Sequence, residues 1–294
     1  MLPIILRSGL IKHFKWKALL FAAMLSCALI LVSSFAAFTG GLKNDNIHWV
    51  STKSGHIHIK TFKNDSISGS PNLVFVLHGD APKSKPFSQY ILAEEIASHN
   101  KNTIGIGILR PGYTDPDSNT SDGIRGLSVG DNYTEDRIKA IAEVIQQLKD
   151  IYKPCKTILV GHSGGATIAA DISALYPELV NSVVLISCPC YLTDWRAYMQ
   201  KRDSSSPQWS AGTSSISPDQ VANKINDSTQ VVIISGTQDS IAPMKYSSDY
   251  YKLLQSEHKN ARLIKIPNQG HQILLHGIVA SAIESLLKNK LLSQ

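Results

Sequence analysis

The feature that most constrains the fold is the segment 159–166, in which an apolar strand pattern leads into Gly-His-Ser-Gly-Gly and an apolar helix pattern begins at once. Small residues two positions before and two after Ser163 permit a very tight turn between strand and helix. A serine held in such a turn exposes its hydroxyl, and it stands at a helix N-terminus, where free backbone N–H groups favour negative charge. The segment therefore indicates a layered α/β protein and makes Ser163 a candidate nucleophile.

Strand and helix patterns alternate along most of the chain. An N-terminal hairpin is predicted over 47–51 and 57–62, followed by strands over 73–77, 103–109, 157–160, 183–186, 231–234 and 263–266. Helices are predicted between them, over 88–98, 134–152, 164–175, 246–257 and 273–287. Alternation of this kind implies a mostly parallel sheet with helices on both faces. We therefore predict an α/β fold with an eight-stranded, mostly parallel sheet over residues 45–294.

Two polar residues follow the last two predicted strands. Asp239 comes after the strand at 231–234, and His271 after the strand at 263–266. The carboxyl ends of parallel strands meet at one edge of a sheet, so both side chains are expected on the same edge as Ser163. Serine, acid and histidine in this chain order are typical of nucleophilic acyl transfer. Asp194, several residues after the strand at 183–186, is the alternative acid.

On these motifs the chain resembles the α/β-hydrolase superfamily over roughly residues 47–290. The Gly-His-Ser-Gly-Gly turn, the Gly-x-x-Asp-x-x-x-Pro pattern at 236–243 and the Gly-His pair at 270–271 match the family in order. The His78-Gly79 pair is similar to its oxyanion-loop motif, and the Arg-Pro-Gly-Tyr stretch at 110–113 to its loop after the fourth strand. The resemblance implies a serine hydrolase in which Ser163 is the nucleophile, His271 the base and Asp239 the acid that orients it.

A tetrahedral oxyanion needs two hydrogen-bond donors, which here are expected to be backbone N–H groups. The N–H of Gly164, directly after the nucleophile, is the first candidate, and the N–H of Asp80 is the second. His78 and Gly79 are expected to support the loop that carries the second donor. An acidic side chain beside a developing oxyanion repels it, so the Asp80 carboxyl must point away, be paired or be protonated.

The N-terminus has the pattern of a membrane segment. Residues 18–38 carry no charge, and 21 residues of helix span a hydrocarbon core of about 30 Å. The basic residues of 1–17 precede this run and are expected to stay cytoplasmic, which places 45–294 outside. The run is long for a signal peptide, and this favours an uncleaved anchor. The alternative is cleavage after the Ser-Phe-Ala stretch at 34–36, which would release a secreted protein.

Charge and ligand patterns exclude several other functions. The formal charge is +6, but the basic residues of 1–17 account for +4, so the rest of the chain is nearly neutral and a poor binder of nucleic acid. The acidic stretch after Asp115 lacks the glycine and the glutamate that an EF-hand calcium loop requires. No metal or other cofactor is implied. The expected partners are a small acyl substrate and the membrane, and the oligomeric state stays open.

Residues 191–217 interrupt the alternation and are expected to form a small lid insertion. Its aromatic residues either line an apolar substrate pocket or pack against the core. Outside the apolar N-terminal run there are three cysteines, of which Cys155 is expected to pair with Cys188 or Cys190. The Cys-Pro-Cys stretch itself is interpreted as the end of a buried strand.

The substrate class is open at this point. A carboxylic ester is the default for the implied chemistry, and peptides, amides and thioesters are alternatives. A non-catalytic binding protein with the same fold is the alternative of a different class. The intact Ser163, Asp239 and His271 oppose that alternative, whereas the acid at Asp80 favours it.

Overall fold

The structure is a computed structural model that describes residues 43–44, 48–125 and 133–289. The predicted basic segment 1–17 and the predicted membrane segment 18–38 lie outside these residues. Within the described part of the chain, no helix has the length and apolar character needed to cross a bilayer.

A single mixed sheet organises the described residues. Its strands are β1 (Lys43–Asn44), β2 (Trp49–Thr52), β3 (Gly55–Lys63), β4 (Asn72–Leu77), β5 (Thr103–Ile108), β6 (Lys156–His162), β7 (Ser182–Ile186), β8 (Gln230–Gly236) and β9 (Ala261–Ile266). The order across the sheet is β1-β3-β5-β4-β6-β7-β8-β9, and β2 pairs with β3. Strands β4 to β9 run parallel, and β3 is antiparallel to β5. The predicted mostly parallel sheet is confirmed, with the eight predicted strands present as β2 to β9 and the short β1 as a ninth.

The strand sequences explain why the sheet is covered on both faces. In β4, Leu73, Phe75 and Leu77 lie in one buried cluster, and Val74 and Val76 lie in the other. Successive side chains of a strand point to opposite faces, so a continuous apolar run needs a core on each side. The central strands therefore need helices on both faces of the sheet to bury their apolar side chains.

The described residues contain seven α-helices. They are α1 (Ser88–His99), α2 (Glu135–Tyr152), α3 (Gly164–Leu175), α4 (Leu192–Arg202), α5 (Pro218–Val221), α6 (Met244–Ser256) and α7 (Gly277–Leu287). Buried residues of α2, α3 and α6 belong to the larger core, and those of α1 and α7 belong to the smaller one. The apolar residues of α2 recur at helical spacing and are buried from Ile138 to Leu148, whereas Ile151 in the last turn is exposed.

The last helix begins later than its sequence pattern predicts. The apolar run starts at Ile273, but α7 starts at Gly277. The side chain of His276 accepts a hydrogen bond from the backbone N–H of Ile278 and so caps the helix. The residues between 271 and 276 form turns instead, which leaves His271 on a loop.

The insertion at 191–217 contains α4 and a short 3₁₀ turn, Pro207–Trp209. Trp195 and Trp209 are buried in the larger core, and their ring centroids lie 5.5 Å apart. The Trp195 indole N–H donates to the carbonyl of Ile241 at 2.7 Å. Of the two interpretations of these aromatic residues, packing against the core is therefore the one that the structure supports.

The cysteine expectation is wrong. Cys188 is bonded to Cys190, and their Cα atoms lie 5.2 Å apart. Cys155 is a free, exposed thiol. It precedes β6, whereas Cys188 follows β7, and these strands are parallel neighbours. The two cysteines therefore lie at opposite edges of the sheet, too far apart for a disulfide bond.

Candidate active site

Ser163 occupies the sharp turn between β6 and α3. Its backbone has φ 52° and ψ −121°, a strained conformation for a residue with a side chain. The flanking glycines have no room for a methyl group. A Cβ on Gly161 would lie 2.2 Å from the carbonyl oxygen of Gly165, and one on Gly165 would lie 2.4 Å from that of His78. The strand and the helix can approach this closely only because both residues are glycine.

A hydrogen-bonded chain links the three side chains predicted as a catalytic unit. His271 Nε2 lies 2.9 Å from Ser163 Oγ, and His271 Nδ1 lies 2.8 Å from Asp239 Oδ2. The carboxylate can only accept, so Nδ1 carries the proton in this pair and Nε2 is free to accept the serine hydroxyl. Asp239 comes from the loop after β8 and His271 from the loop after β9. Both loops leave the sheet at the same edge as Ser163.

The Asp239 carboxylate is held from both sides. Its second oxygen, Oδ1, accepts the backbone N–H groups of Ile241 and Ala242, each at 2.8 Å. The side chain is fully buried. These bonds leave Oδ2 directed at the imidazole, where it can orient the ring.

The backbone of His271 is anchored by two further side chains. Its carbonyl oxygen lies 2.9 Å from His162 Nε2 and accepts the Ser187 hydroxyl at 3.0 Å. Burial, with a smaller contribution from His271, lowers the pKa of His162 to about 4. His162 is therefore neutral, and its Nε2–H donates to the carbonyl. These contacts give His162 a structural role beside the cavity. The contact of Ser187 with His271 was not predicted from the sequence.

The Asp80 carboxylate is paired. Arg110 Nη1 donates to Oδ1 at 3.0 Å, and the Tyr133 hydroxyl donates to Oδ2 at 2.6 Å. Burial, followed by the charge of Asp80, raises the pKa of Tyr133 well above its ordinary value, so the hydroxyl stays a donor. Of the three possibilities for Asp80, pairing is the one observed. This removes the net negative charge that would oppose an oxyanion beside the nucleophile.

The same network explains why Gly164 is a glycine. A Cβ there would lie 2.3 Å from Asp80 Oδ1 and 2.5 Å from the Tyr133 hydroxyl. Arg110 and Tyr133 are thus part of the wall around the first turn of α3. Arg110 belongs to the stretch 110–113 that the sequence singled out, but no local signal identifies its contact with Asp80 or that of Tyr133.

His78 and Gly79 connect this wall to the nucleophile. His78 Nε2 accepts the backbone N–H of Arg110 at 3.1 Å, and its Nδ1 lies 2.7 Å from the carbonyl oxygen of Gly79. Burial and then the Arg110 charge lower the pKa of His78 well below its ordinary value, so the ring is neutral. A Cβ on Gly79 would lie 3.0 Å from the Cβ of Ser163. The loop after β4 therefore lies directly against the nucleophile.

A cavity of about 430 Å³ opens over the hydrogen-bonded chain. Ser163 and His271 line it together with the loop after β4, His162, Ile241 and Gln272. Most of the lining residues come from 78–81 and 84–88, and among the described residues no side chain of 191–217 lines the cavity. Asp194, the alternative acid, is exposed on α4, whereas Asp239 contacts the imidazole.

The comparisons with known proteins agree with this geometry. A family model described as alpha/beta hydrolase fold matches residues 72–215. The match contains β4, the Ser163 turn and α3. The family match and the similar structures support a hydrolase with the α/β-hydrolase fold.

Solved structures similar to this α/β-hydrolase share its fold at low sequence identity. An esterase of Pyrococcus furiosus has a TM-score of 0.60 at 18% identity, over 85% of this chain and 93% of that one. Est1E of Butyrivibrio proteoclasticus, solved with ferulic acid bound, has a TM-score of 0.60 at 14% identity, over 82% of this chain and 98% of that one.

A peptidase is also similar. The acylaminoacyl peptidase of Pyrococcus horikoshii has a TM-score of 0.60 at 13% identity, over 87% of this hydrolase and 42% of the peptidase. No curated protein sequence matches the hydrolase significantly. Structural similarity at such low sequence identity establishes the fold alone. The substrate has to be inferred from the residues of the site.

Proposed function

We propose that this α/β-hydrolase cleaves a carboxylic ester through a covalent acyl-enzyme on Ser163. The observation that carries the proposal is the chain of hydrogen bonds from Ser163 through His271 to Asp239, with lengths of 2.9 Å and 2.8 Å. A serine hydroxyl is a weak nucleophile unless a base removes its proton as it attacks. Here the base lies within hydrogen-bond distance and is itself oriented by a buried carboxylate.

The reaction has two halves. In the first, Ser163 Oγ forms a bond to the substrate carbonyl carbon while its proton passes to His271 Nε2. The tetrahedral intermediate then expels the alcohol, which takes that proton. In the second half a water molecule gives its proton to Nε2 and attacks the acyl carbon. The acid is released when the bond to Ser163 breaks and Oγ regains the proton.

Backbone N–H groups are proposed to stabilise the oxyanion in both halves. The N–H of Gly164 stands at the first position of α3, where the helix dipole also favours negative charge. The N–H of Asp80 is proposed as the second donor, since Asp80 borders the cavity. The pairing of the Asp80 carboxylate with Arg110 supports this assignment.

An amide or peptide substrate is the second candidate. It is favoured by the similarity to an acylaminoacyl peptidase, whose TM-score equals that of the Pyrococcus furiosus esterase. The same Ser163 chemistry serves both substrate classes, and thioesters are a further variant of it. An ester is preferred because alcohols are better leaving groups than amines.

The test uses the full-length chain and a fluorophosphonate probe that labels activated serines. Labelling is expected in the wild type and is expected to be lost in Ser163→Ala. Ser256→Ala, an exposed serine on α6, is the matched control and should label normally. Parallel assays with 4-nitrophenyl butyrate and butyryl 4-nitroanilide then compare ester with amide. A folded wild type that neither labels nor hydrolyses either substrate contradicts the proposal and favours a binding protein.

We also propose that residues 18–38 anchor the enzyme in a membrane, with the catalytic domain on the extracytoplasmic side. The support is the uncharged run and the basic residues that precede it. A small acyl substrate is the proposed partner of the catalytic cavity.

A further inference from the structure

A second, larger cavity adjoins the catalytic one. Its volume is about 650 Å³, and it shares Ser84 and Lys85 with the catalytic cavity. The remaining wall residues are Pro82, Lys83, Gly112, Thr114 and Arg125. Among the described residues that line it, three side chains are cationic and none is acidic. A ligand that spans both cavities would therefore place one end at Ser163 and the other among positive charges.

The three cations are available to a ligand. Among the described residues, no carboxylate lies within ion-pair distance of Lys83, Lys85 or Arg125. Lys85 Nζ lies 3.4 Å from the hydroxyl of Ser118, a neutral partner. The nearby Asp117 carboxylate is bound instead by Lys60, at 2.5 Å.

The guanidinium of Arg125 is held in place by neutral partners. Its Nη1 donates to the carbonyl of Ala81 at 3.3 Å, and its central carbon lies 5.6 Å from the centroid of the Tyr113 ring. Gly112, with φ +77°, permits the chain to approach, because a Cβ there would lie 2.0 Å from the backbone nitrogen of Arg125. The contact with Ala81 also ties Arg125 to the loop that carries both lysines.

The opposite wall is fixed as well. The hydroxyls of Thr114 and Thr120 lie 2.9 Å apart, and the two residues form an isolated β-bridge. The buried Asp115 accepts the backbone N–H of Asn119 at 3.0 Å and so closes the loop behind Thr114. The cavity is thus bounded by two braced loops, which is the pre-organisation that a specific binding site needs.

We infer that the substrate of Ser163 carries an anionic group, a carboxylate or a phosphate, which binds to Lys83, Lys85 and Arg125 while the scissile carbonyl lies at Ser163. This inference rests on the proposed function and deepens it. Like charges around one cavity repel each other, and a bound anion relieves that repulsion. Arginine presents a planar fork to carboxylate or phosphate oxygens, and the lysines add point charges. The volume of the cavity suits a group of several heavy atoms.

The first test measures a preference rather than an activity. Full-length enzyme is assayed with mono-4-nitrophenyl adipate and 4-nitrophenyl hexanoate, which have the same chain length and differ in the terminal carboxylate. A second pair, 4-acetoxyphenyl phosphate and phenyl acetate, places the anion on the leaving group. Background rates come from Ser163→Ala. The anionic member of at least one pair should be preferred about tenfold or more in kcat/KM, since charged hydrogen bonds are the stronger ones.

The preference for the anionic ester should disappear when the three cationic side chains are replaced. Lys83→Gln, Lys85→Gln and Arg125→Gln should each reduce the ratio of kcat/KM values several-fold, and the triple variant should bring it to about one. A general loss of activity cancels in this ratio. Lys139→Gln, an exposed lysine on α2, removes the same charge elsewhere and should retain the wild-type ratio. Equal ratios in the triple variant and the wild type would overturn the inference.

A lipid headgroup and a soluble anion share the required chemistry, so a separate arm distinguishes them. Mixed micelles of phosphatidylglycerol are compared with micelles of phosphatidylcholine in a neutral detergent. Preference for the anionic lipid alone assigns the site to a headgroup, and preference for the soluble anionic ester assigns it to a free carboxylate or phosphate. Absence of preference in both arms overturns the inference.

A titration that needs no catalysis separates this inference from the proposed function. Full-length Ser163→Ala is titrated with adipate and with inorganic phosphate by calorimetry, with and without the three cation substitutions. Binding that weakens about tenfold without the cations supports the anion site even if no ester is hydrolysed. Ester hydrolysis without preference, together with no measurable binding of either anion, overturns the anion site and leaves the hydrolase intact.

Discussion

At the scale of single residues, Asp239 and His271 each direct one atom at the next residue of the site, while neighbouring groups fix another of their atoms by hydrogen bonds. Asp239 directs Oδ2 at His271, while Oδ1 is held by two backbone N–H groups. His271 directs its ring at Ser163, while its carbonyl is held by His162 and Ser187. Such bracing keeps the reacting atoms in position without further ordering at the moment of reaction.

The first prediction concerns Asp239→Asn. The amide oxygen can still accept from Ile241 and Ala242, so we expect the fold to persist. The amide NH₂ would face Nδ1 and favour the wrong tautomer, and kcat should fall by about 10⁴-fold, as in the serine-protease example. The measurement is the steady-state hydrolysis of 4-nitrophenyl butyrate.

Asp194→Asn is the control for this change, since Asp194 is exposed on α4. It should hydrolyse the ester at close to the wild-type rate. Near-normal turnover by Asp239→Asn, with a loss in Asp194→Asn, would transfer the orienting role to Asp194 and contradict the assignment.

At the scale of elements, the site is a meeting of loops at one edge of the parallel sheet. The turn after β6 supplies Ser163, and the loops after β8 and β9 supply Asp239 and His271. The loop after β4 closes the assembly, because it lies against the first turn of α3 with only glycine between them. The spacing of two backbones therefore decides whether the nucleophile is correctly placed.

Gly165→Ala tests this spacing. The new Cβ would lie 2.4 Å from the carbonyl oxygen of His78 and 2.8 Å from that of Leu77, both of them backbone atoms. Overpacking of this kind costs about 1–3 kcal/mol, and we expect lower stability together with lower activity. Urea unfolding followed by tryptophan fluorescence measures the first effect, and ester hydrolysis the second.

The matched control is Gly277→Ala, which also lies in the first turn of a helix. A Cβ there meets no atom within 4 Å. Its unfolding midpoint should stay unchanged or rise slightly, since alanine favours helix by up to about 1 kcal/mol. If both variants have the same stability, the close approach at Gly165 is not what constrains the turn.

At the scale of the whole molecule, stability depends on a buried acid away from the catalytic cavity. Asp171 lies on α3, and neither carboxyl oxygen has a hydrogen-bond partner among the described residues. Burial, and secondarily the charge of Asp219, raises the pKa of Asp171 well above its ordinary value. The folded protein therefore holds a proton that the unfolded chain releases near pH 4.

This linkage predicts that Asp171→Asn raises the free energy of unfolding by an amount that depends on pH. The folded state binds more protons than the unfolded state above about pH 4, so the free energy of unfolding falls as pH rises. Asparagine removes that linkage. The variant should therefore be more stable than the wild type at pH 7, by about 1 kcal/mol or more, and should lose this advantage at pH 4. Urea unfolding of both proteins at pH 7 and pH 4 measures this difference in the free energy of unfolding. A difference that is the same at both pH values would contradict the prediction.

The membrane anchor is also a property of the whole molecule. We expect the full-length chain to stay in the membrane pellet after extraction with alkaline carbonate, because the 21 uncharged residues of 18–38 would be long enough as a helix to span the bilayer. N-terminal sequencing of the same material should find the segment retained. A soluble product that begins near residue 37 would instead show cleavage and secretion.

The order of strands and helices and the identity of the candidate nucleophile were readable from local patterns. An apolar strand, two small residues around Ser163 and an apolar helix restrict the backbone within a few positions. Asp239 and His271 were identifiable because each follows a strand, and parallel strands end at one edge. Local periodicity and chain order carry this information without any knowledge of distant contacts.

Other features depend on residues far apart in the chain. The partners of Asp80 lie 30 and 53 positions away, and the contact of Ser187 with His271 joins two separate loops. That Cys155 forms no disulfide bond follows from the edge of the sheet that it occupies, opposite to Cys188 and Cys190. The cationic cavity likewise forms only when the loop after β4 meets the loop after β5. The local sequence does not predict such contacts, because the partner of a side chain depends on how the strands and loops pack in the folded protein.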